Sequence, residues 1–277
     1  MPELPEVERY RSVAIQAGVG HRISEVVVKD DPIVLDGCDA ADVRRSLIGR
    51  LLRAVERKGK YLWWVLDRPP CVVFHFGMTG RMLSTVHAPL ALKTAASTER
   101  GGWPPDRATL RVQFKTGAEV AFVTTRRMGR VRLVEAPLVE APVNRLGADV
   151  LSELPELGSF QALFMSRRGN IKGGLLDQTR LAGLGNWMAD EVLFMAKISP
   201  LRSSASLSDA EWEALRDAIV SVVEIAVAVE ADSERFPSGW LFHQRWDAAR
   251  TPQTLRGGLS FTTVGGRPTV FDPRRQR

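Results

Sequence analysis

The first half of the chain begins with one amphipathic helix and continues as short strands. After Pro5, apolar residues recur at helical spacing from Val7 to Ala17, acids occupy the first turn, and Gly18 follows the last turn. Runs rich in Val and aromatic residues then predict strands at 23–29, 51–55, 61–66, 72–76, 109–114, 120–124 and 131–134. Among them, only residues 40–47 have a helical pattern. So many short strands predict a β-sandwich or barrel.

The second half has a helical pattern and ends in a hairpin. A capping-box pattern at Ser208–Glu211 predicts a helix to about Glu230, with an inner face of Trp212, Leu215, Ile219, Val222 and Val223. Two extended runs, 259–264 and 267–271, flank Gly265-Gly266 and predict a β-hairpin. We therefore expect an α+β chain with an N-terminal β-sandwich and its helix at 1–135, a linker at 136–150, a helical domain at 151–238 and the hairpin segment at 239–277.

The excess of basic residues indicates which kind of binding partner the chain has. The 277 residues include 38 Lys and Arg against 32 Asp and Glu, and the basic residues concentrate at 44–60 and 126–132. Such runs favour a polyanion, either nucleic acid or an anionic membrane surface, although they also occur on ordinary solvated faces. Cys38 and Cys71 form no C-x-x-C pair and favour neither a disulfide framework nor a thiolate zinc site. No signal peptide or membrane span is predicted, so we expect a cytoplasmic protein.

The first residues carry the sharpest chemical feature. Removal of Met1, which a small second residue generally permits, would leave Pro2 with a free secondary amine. An α-amino group with a pKa of about 8 is roughly a tenth neutral at pH 7, whereas an unperturbed lysine is only about 0.04% neutral. Such an amine is able to form a Schiff base, with Glu3 and Glu6 close enough to move protons. The alternative is an ordinary helix start, with proline and acids in the first turn.

Five segments resemble one enzyme family. They are MPELPEVE at 1–8, KGKYL at 58–62, HFGMTG at 75–80, RRMG at 126–129 and LAGLGNWMADEVLF at 181–194. Together they resemble the formamidopyrimidine-DNA glycosylase and endonuclease VIII family over nearly the whole chain. The resemblance implies a bifunctional DNA glycosylase and abasic-site lyase of base-excision repair. It also implies that 1–135 is the catalytic domain and 151–238 a helix-two-turn-helix DNA-binding domain.

Four catalytic residues are implied by this resemblance. Pro2 matches the nucleophile that attacks C1′ of the damaged nucleotide, Glu3 the proton-transfer acid and Glu6 a supporting carboxylate. Lys60 matches a lysine that holds a phosphate beside the lesion. The implied reaction passes through a Pro2 Schiff base and β,δ-elimination. From the residues alone, Lys60 also fits a strand lysine whose stem lies along apolar surface.

Three residues match positions that the family inserts into the duplex. Met78 lies where an apolar side chain enters the gap left by the extruded base, and Arg126 where an arginine faces the orphaned partner base. Met128 replaces the usual aromatic wedge. From the residues alone, Met78 also fits a core position.

Three further residues match positions at the DNA backbone or lesion pocket. Asn186 follows the turn Gly183–Gly185 and matches an asparagine that contacts phosphates together with the amides of a helix N-terminus. Arg267 matches the finger arginine that grips the phosphate at the lesion, and Lys172 a lysine near the lesion pocket. From the residues alone, the turn also fits a plain connection between helices.

The tail departs from the family pattern. FDPRRQR at 271–277 resembles the end of a zinc finger, but Asp272 and Arg275 stand where the last cysteine pair belongs. The resemblance therefore implies a metal-free, zincless finger at 239–277. We expect apolar packing to hold it, with Phe261, Val264, Val270 and Phe271 as the available side chains.

Other departures bear on the substrate. Thr124-Thr125 precede Arg126 where Asp-Pro is usual, and 231–240 is shorter than the loop that covers 8-oxoguanine in the guanine-preferring branch. We expect formamidopyrimidines or oxidised pyrimidines to be processed at least as well as 8-oxoguanine.

Two other functions stay open. One is a catalytically reduced protein that binds lesions or abasic sites on the same scaffold. The other is an RNA- or ribosome-associated module that uses only the helix-two-turn-helix. Intact Pro2, Glu3 and Lys60 favour the enzyme. We expect a monomer that acts on damaged double-stranded DNA in the bacterial nucleoid, with no membrane partner, metal or other cofactor.

Overall fold

Two units, Met1–Arg145 and Leu146–Arg277, make up the chain. The computed structural model describes residues 2–88, 102–165, 169–245 and 258–277. The first unit contains mainly strands and the second mainly helices, as the hydrophobic patterns predict.

The strands of the first unit form two four-stranded antiparallel sheets. In chain order they are β1 Ile23–Val28, β2 Leu52–Lys58, β3 Tyr61–Leu66, β4 Cys71–His75, β5 Gly80–Ser84, β6 Ala108–Phe114, β7 Glu119–Thr124 and β8 Arg130–Val134. One sheet has the order β1-β6-β7-β5 and the other β2-β3-β4-β8. The seven predicted strands are confirmed, with ends that differ by up to three residues. The eighth, β5, was not predicted.

Aromatic side chains join the inner faces of the two sheets. Trp64 meets Phe114 with ring centroids 6.2 Å apart, and Phe74 meets Phe122 at 5.5 Å. All four rings are buried. Their tilted contacts and large apolar area make this layer the core of the unit, so the predicted β-sandwich is confirmed.

Two helices pack against the sheets. They are α1 Leu4–Gly18 and α2 Ala40–Leu47, and both match the predicted segments. The apolar positions from Val7 to Ala17 are buried, which confirms the predicted inner face of α1. Gly18 permits close approach at the end of the helix, because a Cβ there would lie 2.0 Å from the ring of Phe114. The first residues of the chain therefore belong to a helix that is tightly packed against the sheets.

The second unit consists of five helices and two small sheets within the described residues. The helices are α3 Leu157–Met165, α4 Ile171–Leu176, α5 Asn186–Met195, α6 Asp209–Ala228 and α7 Phe242–Arg245. Short strands β9 Ala148–Asp149 and β10 Leu181–Ala182 pair in parallel, and β11 Ser260–Val264 and β12 Arg267–Phe271 form an antiparallel hairpin.

Two sequence patterns in this unit are confirmed in detail. Ser208 caps α6 by accepting a hydrogen bond from the Glu211 amide, and the predicted inner face of α6 is buried against α3 and α5. In the hairpin, Gly265 and Gly266 have φ angles of +57° and +72°, as the predicted two-residue turn requires. The predicted α+β architecture is thereby confirmed.

Candidate active site and nucleic-acid interface

The start of α1 holds Pro2, Glu3 and Glu6 together. All three residues are buried, with Glu3 2% and Glu6 8% exposed. The Glu3 amide donates a hydrogen bond to a Glu6 carboxylate oxygen at 3.0 Å, the contact that a capping box makes at a helix start. Pro5 in the first turn fixes the direction in which the chain enters the helix. The first residues are therefore positioned by the helix they begin.

Glu6 is able to carry a proton at neutral pH. Burial, with the negative charge of Glu3 next in importance, raises the pKa of Glu6 from 4.5 to about 7. A carboxyl group whose pKa lies near the working pH can both accept and donate a proton. The arrangement thus places a proton-transferring group beside Pro2.

Tyr10 fastens α1 to the neighbouring turn and was not singled out from the sequence. Its buried ring packs on Phe76 with centroids 4.6 Å apart, and its hydroxyl donates to the Gly80 carbonyl at 3.5 Å. Burial raises the pKa of Tyr10, so the hydroxyl stays protonated. The helix start is therefore linked to the turn that carries Met78.

Lys60 lies in the tight turn between β2 and β3. Arg57 holds this turn by donating to the Gly59 carbonyl at 3.0 Å and to the Glu8 carboxylate at 2.8 Å. Since Glu8 belongs to α1, the Arg57 guanidinium ties the turn to the helix whose start carries Pro2. Lys60 is 8% exposed, so its stem is packed rather than extended into solvent.

His75, at the end of β4, is a further polar residue of this region that sequence reasoning missed. Its ring packs on Tyr61 at 4.7 Å. Burial, with the positive charge of Lys60 next in importance, lowers the pKa of His75 to about 4. The Gly77 amide donates to Nδ1 at 3.3 Å, so the neutral ring carries its hydrogen on Nε2. His75 could have been identified from the sequence by its place in the HFGMTG segment.

The turns that carry Met78 and Met128 pack directly against each other. Gly77 has a φ of +56°, and a Cβ there would lie 2.2 Å from the Met128 carbonyl oxygen. Thr125 donates from Oγ1 to Thr79 Oγ1 at 3.1 Å across the same junction. Both methionine side chains are exposed, by 38% and 44%. Met78 is therefore not a core residue.

Arg126 is exposed on the second of these turns, whereas its neighbour Arg127 is held. Arg127 has a φ of +53° and forms two hydrogen bonds of 2.8 Å to the Asp31 carboxylate. Within the described residues, Arg126 has no acidic partner. Thr124 Oγ1 accepts from the Gly129 amide at 3.0 Å, so the unusual Thr-Thr pair closes the turn.

Ion pairs neutralise several of the basic residues in the two predicted runs. Within 44–60, Arg45 pairs with Asp42, Arg50 with Asp67 and Arg57 with Glu8; within 126–132, Arg127 pairs with Asp31, and both Arg130 and Arg132 with Asp36. These runs therefore do not form two continuous cationic surfaces. Arg126, beside the two methionines, is exposed and has no acidic partner among the described residues, as is also true of Arg44 and Arg53 in the first run.

The turn before α5 is held by one side chain. Gln178 donates from Nε2 to the Leu176 and Leu184 carbonyls at 3.0 and 2.9 Å, and its Oε1 accepts from the Gly183 amide at 3.1 Å. Gly183 has a φ of +122°, which this turn requires. Asn186 is the first residue of α5, so helix amides and its side chain lie at the same end.

Lys172, predicted near the lesion pocket, is fully buried within the second unit. Its side chain has no exposed area, and its Nζ is 2.7 Å from Thr269 Oγ1, 3.2 Å from the Pro268 carbonyl oxygen and 2.6 Å from Asp190 Oδ1. The Lys172 ammonium group is therefore surrounded by oxygen atoms of its own unit. Arg267, by contrast, is exposed at the start of β12.

Polar contacts hold the residues after the hairpin, in addition to the apolar packing that the sequence predicted. The Asp272 amide donates to Gln276 Oε1 at 2.8 Å, and Gln276 Nε2 donates to the Ile198 carbonyl at 3.0 Å. The Arg275 guanidinium lies 4.5 Å from the ring centroid of Phe194. Phe261, expected in the packing, is 39% exposed, whereas Val264, Val270 and Phe271 are buried.

The residues of this hairpin do not fit a zinc site. Residues 258–277 contain neither Cys nor His, and the Asp272 carboxylate accepts hydrogen bonds from the Arg274 amide and guanidinium. Across the part of the chain that the structure describes, no group of three His, Cys, Asp or Glu side chains is placed to hold a metal ion.

The segment at 231–240 is packed into its own unit. Phe236, Trp240 and Phe242 surround Trp187 with ring centroids 5.1 to 6.3 Å from it. The buried Glu191 carboxylate accepts from the Leu241 and Phe242 amides at 3.0 and 2.7 Å, and burial raises the pKa of Glu191 to about 7.

Comparison with known proteins gives matches to both units. Residues 1–131 match the family model of the formamidopyrimidine-DNA glycosylase N-terminal domain, and residues 146–238 match the H2TH domain of the same enzymes. A formamidopyrimidine-DNA glycosylase of Arabidopsis thaliana is 38% identical, over all of this chain and 71% of the relative. One of Rhodospirillum rubrum is 34% identical over the whole of both chains.

Solved structures share the fold. The Lactococcus lactis Fpg in a complex with DNA that contains an abasic site has a TM-score of 0.78 and 23% identity, with both chains fully covered. MutM in complex with DNA that contains carbocyclic 8-oxo-G has a TM-score of 0.78 and 24% identity, again over both whole chains.

The two units, with a helix start that holds two buried carboxylates, define a DNA glycosylase of base-excision repair. The chain belongs to the formamidopyrimidine-DNA glycosylase family. The predicted family and enzyme class are thus confirmed. None of the described helices has the length and apolar character needed to cross a membrane.

Proposed function

We propose that the chain removes oxidised bases from double-stranded DNA and cleaves the resulting abasic site through a covalent intermediate on Pro2. The observation that carries this proposal is the start of α1, where Pro2 is buried beside two buried carboxylates and Glu6 has a pKa of about 7. A secondary amine needs such neighbours, since proton transfers accompany both its attack and its release. Removal of Met1 is a requirement of this proposal.

The reaction begins when the neutral amine of Pro2 attacks C1′. The bond from C1′ to the base nitrogen breaks, and the base leaves with that electron pair and takes up a proton. Opening of the sugar at O4′ gives an iminium, the Schiff base of Pro2. Loss of a C2′ proton breaks the bond from C3′ to the 3′ phosphate oxygen, and the phosphate leaves with the electron pair. In the second elimination, loss of the C4′ proton breaks the bond from C5′ to the 5′ phosphate oxygen, and that phosphate leaves in the same way. Hydrolysis then frees Pro2 and leaves a one-nucleotide gap with phosphate ends.

Charge near the start of α1 supports these proton transfers. We assign Glu3 to proton exchange with the leaving groups and Glu6 to support of that exchange. Lys60 is assigned to the phosphate beside the lesion, with its turn held by the Arg57–Glu8 pair. His75 stays neutral, so its Nε2 hydrogen is available as an uncharged donor in the same region.

The exposed turns of the first unit supply the residues for opening the duplex. Met78 and Met128 present apolar side chains on two mutually packed turns, and Arg126 lies beside them without an acidic partner among the described residues. We assign the methionines to the gap left by the extruded base and Arg126 to the partner base. In the second unit, the N-terminal end of α5 with Asn186 and the exposed Arg267 are assigned to phosphates.

The lesion range follows from the packed segment at 231–240. Because its aromatic residues are buried around Trp187, this segment offers little free chain to cover an extruded purine. Formamidopyrimidines or oxidised pyrimidines are therefore expected to be excised at least as fast as 8-oxoguanine. Single-turnover rates on matched duplexes test this, and a strong preference for 8-oxoguanine contradicts it.

The enzyme is further proposed to act as a monomer with a metal-free finger. The hairpin at 258–277 contains neither Cys nor His, so incubation with a strong zinc chelator is expected to leave the excision rate and thermal midpoint unchanged. Loss of activity that added zinc restores would contradict this. Light scattering during size-exclusion chromatography tests the monomer.

Borohydride trapping on an abasic-site duplex tests the central proposal. The wild-type chain should give a covalent adduct, and mass spectrometry should locate it at Pro2 and show that Met1 is absent. Pro2→Gly should change the amount of trapped adduct or the residue that carries it. Lys60→Ala should slow adduct formation by at least about tenfold, which is the effect of losing one charge-assisted phosphate contact. Lys115→Ala is the matched control, because Lys115 is an exposed turn lysine of the same unit.

The outcomes separate the rival functions. Tight binding of the abasic duplex without any adduct would favour the catalytically reduced binding protein. An adduct on a lysine rather than on Pro2 would refute the assigned nucleophile while leaving the lyase activity intact. Stronger binding to undamaged RNA than to abasic DNA would favour the RNA-associated module.

A further inference from the structure

A buried carboxylate on α5 gathers contacts from three other elements. Asp190 lies one turn after Asn186, and its side chain has no exposed area. Its Oδ1 is 2.6 Å from Lys172 Nζ on α4, and its Oδ2 accepts from Arg245 on α7 at 2.8 Å. The Val270 amide of β12 also donates to Oδ2, at 3.3 Å. Asp190 therefore joins the hairpin to the helices.

The contacts continue from this carboxylate to both proposed phosphate-binding residues. Lys172 donates to Thr269 Oγ1 at 2.7 Å, and Thr269 Oγ1 in turn donates to the Arg267 carbonyl at 3.0 Å. Asn186 Nδ2 donates to the Pro268 carbonyl at 2.9 Å, the same oxygen that Lys172 approaches at 3.2 Å. Asn186 and the backbone of Arg267 are thus fixed to one buried cluster.

The physical properties of this cluster favour positioning over simple stabilisation. Buried ions lose their hydration, so they are retained only where directional partners compensate the loss. The apolar packing of Val270 against Phe194 of α5 is non-directional, whereas the ion pairs and hydrogen bonds of this cluster have a preferred direction. Glu191, the next residue on α5, is buried beside Arg245 and is occupied by two amides of the α7 segment.

We propose that Asp190, Lys172 and Thr269 are positioning residues that hold Asn186 and Arg267 as one phosphate-binding unit. Lys172 then acts from inside the protein through Thr269, without touching DNA. The cluster fixes the hairpin in a chain that lacks the last cysteine pair of the family's zinc finger. This inference rests on the phosphate contacts assigned to Asn186 and Arg267 in the proposed function.

A single hydroxyl group provides the cleanest test. Thr269→Val keeps the side-chain shape but removes the link from Lys172 to Arg267. Its matched control is Thr262→Val, because Thr262 is the register partner of Thr269 on β11 and is exposed. With a tetrahydrofuran-containing duplex at fixed salt, Thr269→Val should weaken binding about tenfold. Thr262→Val should stay within about twofold.

A double-mutant cycle with Arg267→Ala separates positioning from general loosening. If Thr269 acts through Arg267, the double variant should bind only slightly more weakly than Arg267→Ala alone. Additive losses, or unchanged affinity of Thr269→Val, would overturn the inference. Hydrogen exchange of residues 260–271 should rise in Thr269→Val and not in Thr262→Val.

Asp190→Asn adds a second line of evidence. It removes the negative charge between two cations, so the proposal expects faster exchange in the hairpin and weaker DNA binding, with the adduct rate at saturating DNA changed less than the dissociation constant. Unchanged exchange and affinity would count against it. If Asp190→Asn does not fold, the Thr269 cycle decides. The affinity and hydrogen-exchange readings do not depend on catalysis, so a wild-type chain that binds DNA but forms no adduct would refute the proposed chemistry alone.

Discussion

Replacing Glu6 by glutamine should stabilise the first unit at neutral pH. The pKa of Glu6 is raised from 4.5 to about 7, mainly by burial. At about 1.4 kcal/mol for each factor of ten in proton affinity, ionising this group in the folded chain costs about 3 kcal/mol. Glutamine resembles the protonated carboxyl and avoids that cost. An ammonium group at Pro2 would oppose the shift, so about 3 kcal/mol is an upper bound.

The sign of the pH dependence follows from the raised pKa. Glu6 contributes its protonated-state stability fully below about pH 4.5, and that contribution is lost as the pH rises to about 7. Glu6→Gln has no such loss. The stability difference between the variant and the wild type should therefore grow between pH 4.5 and 7 and level off above pH 7.

Urea titrations at several pH values, read by hydrogen exchange of α1 peptides, measure this difference in the unit that contains Glu6. Glu8→Gln on the same helix is the matched control. Hydrogen bonds from Arg11 and Arg57 outweigh partial burial and lower the pKa of Glu8, so its replacement should destabilise the unit at neutral pH and less so in acid. A pH-independent effect of Glu6→Gln, or a loss of stability at pH 8, would refute the reasoning.

Three further predictions concern the parts of the chain that are proposed to contact DNA. Gly77→Ala should destabilise the first unit by at least about 1 kcal/mol and weaken binding to abasic DNA, because the φ of Gly77 is +56° and a Cβ would overlap the Met128 carbonyl. The control is Gly102→Ala, where a Cβ would meet open space, and it should leave the thermal midpoint and the affinity unchanged. Gln276→Leu should speed hydrogen exchange in 258–277, and equal protection would contradict the role of its two hydrogen bonds. If about six phosphates are neutralised, the log–log slope of affinity against salt should lie near about −5, and a slope near zero would contradict electrostatic docking.

Much of the fold was predictable because local periodicity determines it. α1, α2, α6 and the terminal hairpin have apolar spacing, caps or glycine pairs that need no distant information. β5 was missed because Gly80–Ser84 contains no β-branched or aromatic residue and does not alternate between apolar and polar positions. It becomes a strand through pairing with β7, which local pattern does not encode.

The candidate site also combines features that local sequence predicts with features that depend on distant residues. Pro2, Glu3, Glu6 and Lys60 were found through motifs, and their roles stay predictions. The burial of Lys172 was not foreseeable, because its partner Pro268 is 96 residues away. The pairing of Arg127 with Asp31 also spans 96 residues, so a run of basic letters does not reveal which charges remain unpaired.

Glu6 and Glu8 show why the partners of an acid matter more than its place in the sequence. Both lie in the first turns of α1, where either would interact favourably with the helix dipole. Two guanidinium groups bind Glu8 and lower its pKa, so it remains charged and structural. Burial beside Glu3 raises the pKa of Glu6 to about 7, near the pH at which a proton must move. For Glu6 to exchange protons next to Pro2, as proposed, its charge must be incompletely compensated, and this costs stability in the helix that carries the proposed nucleophile.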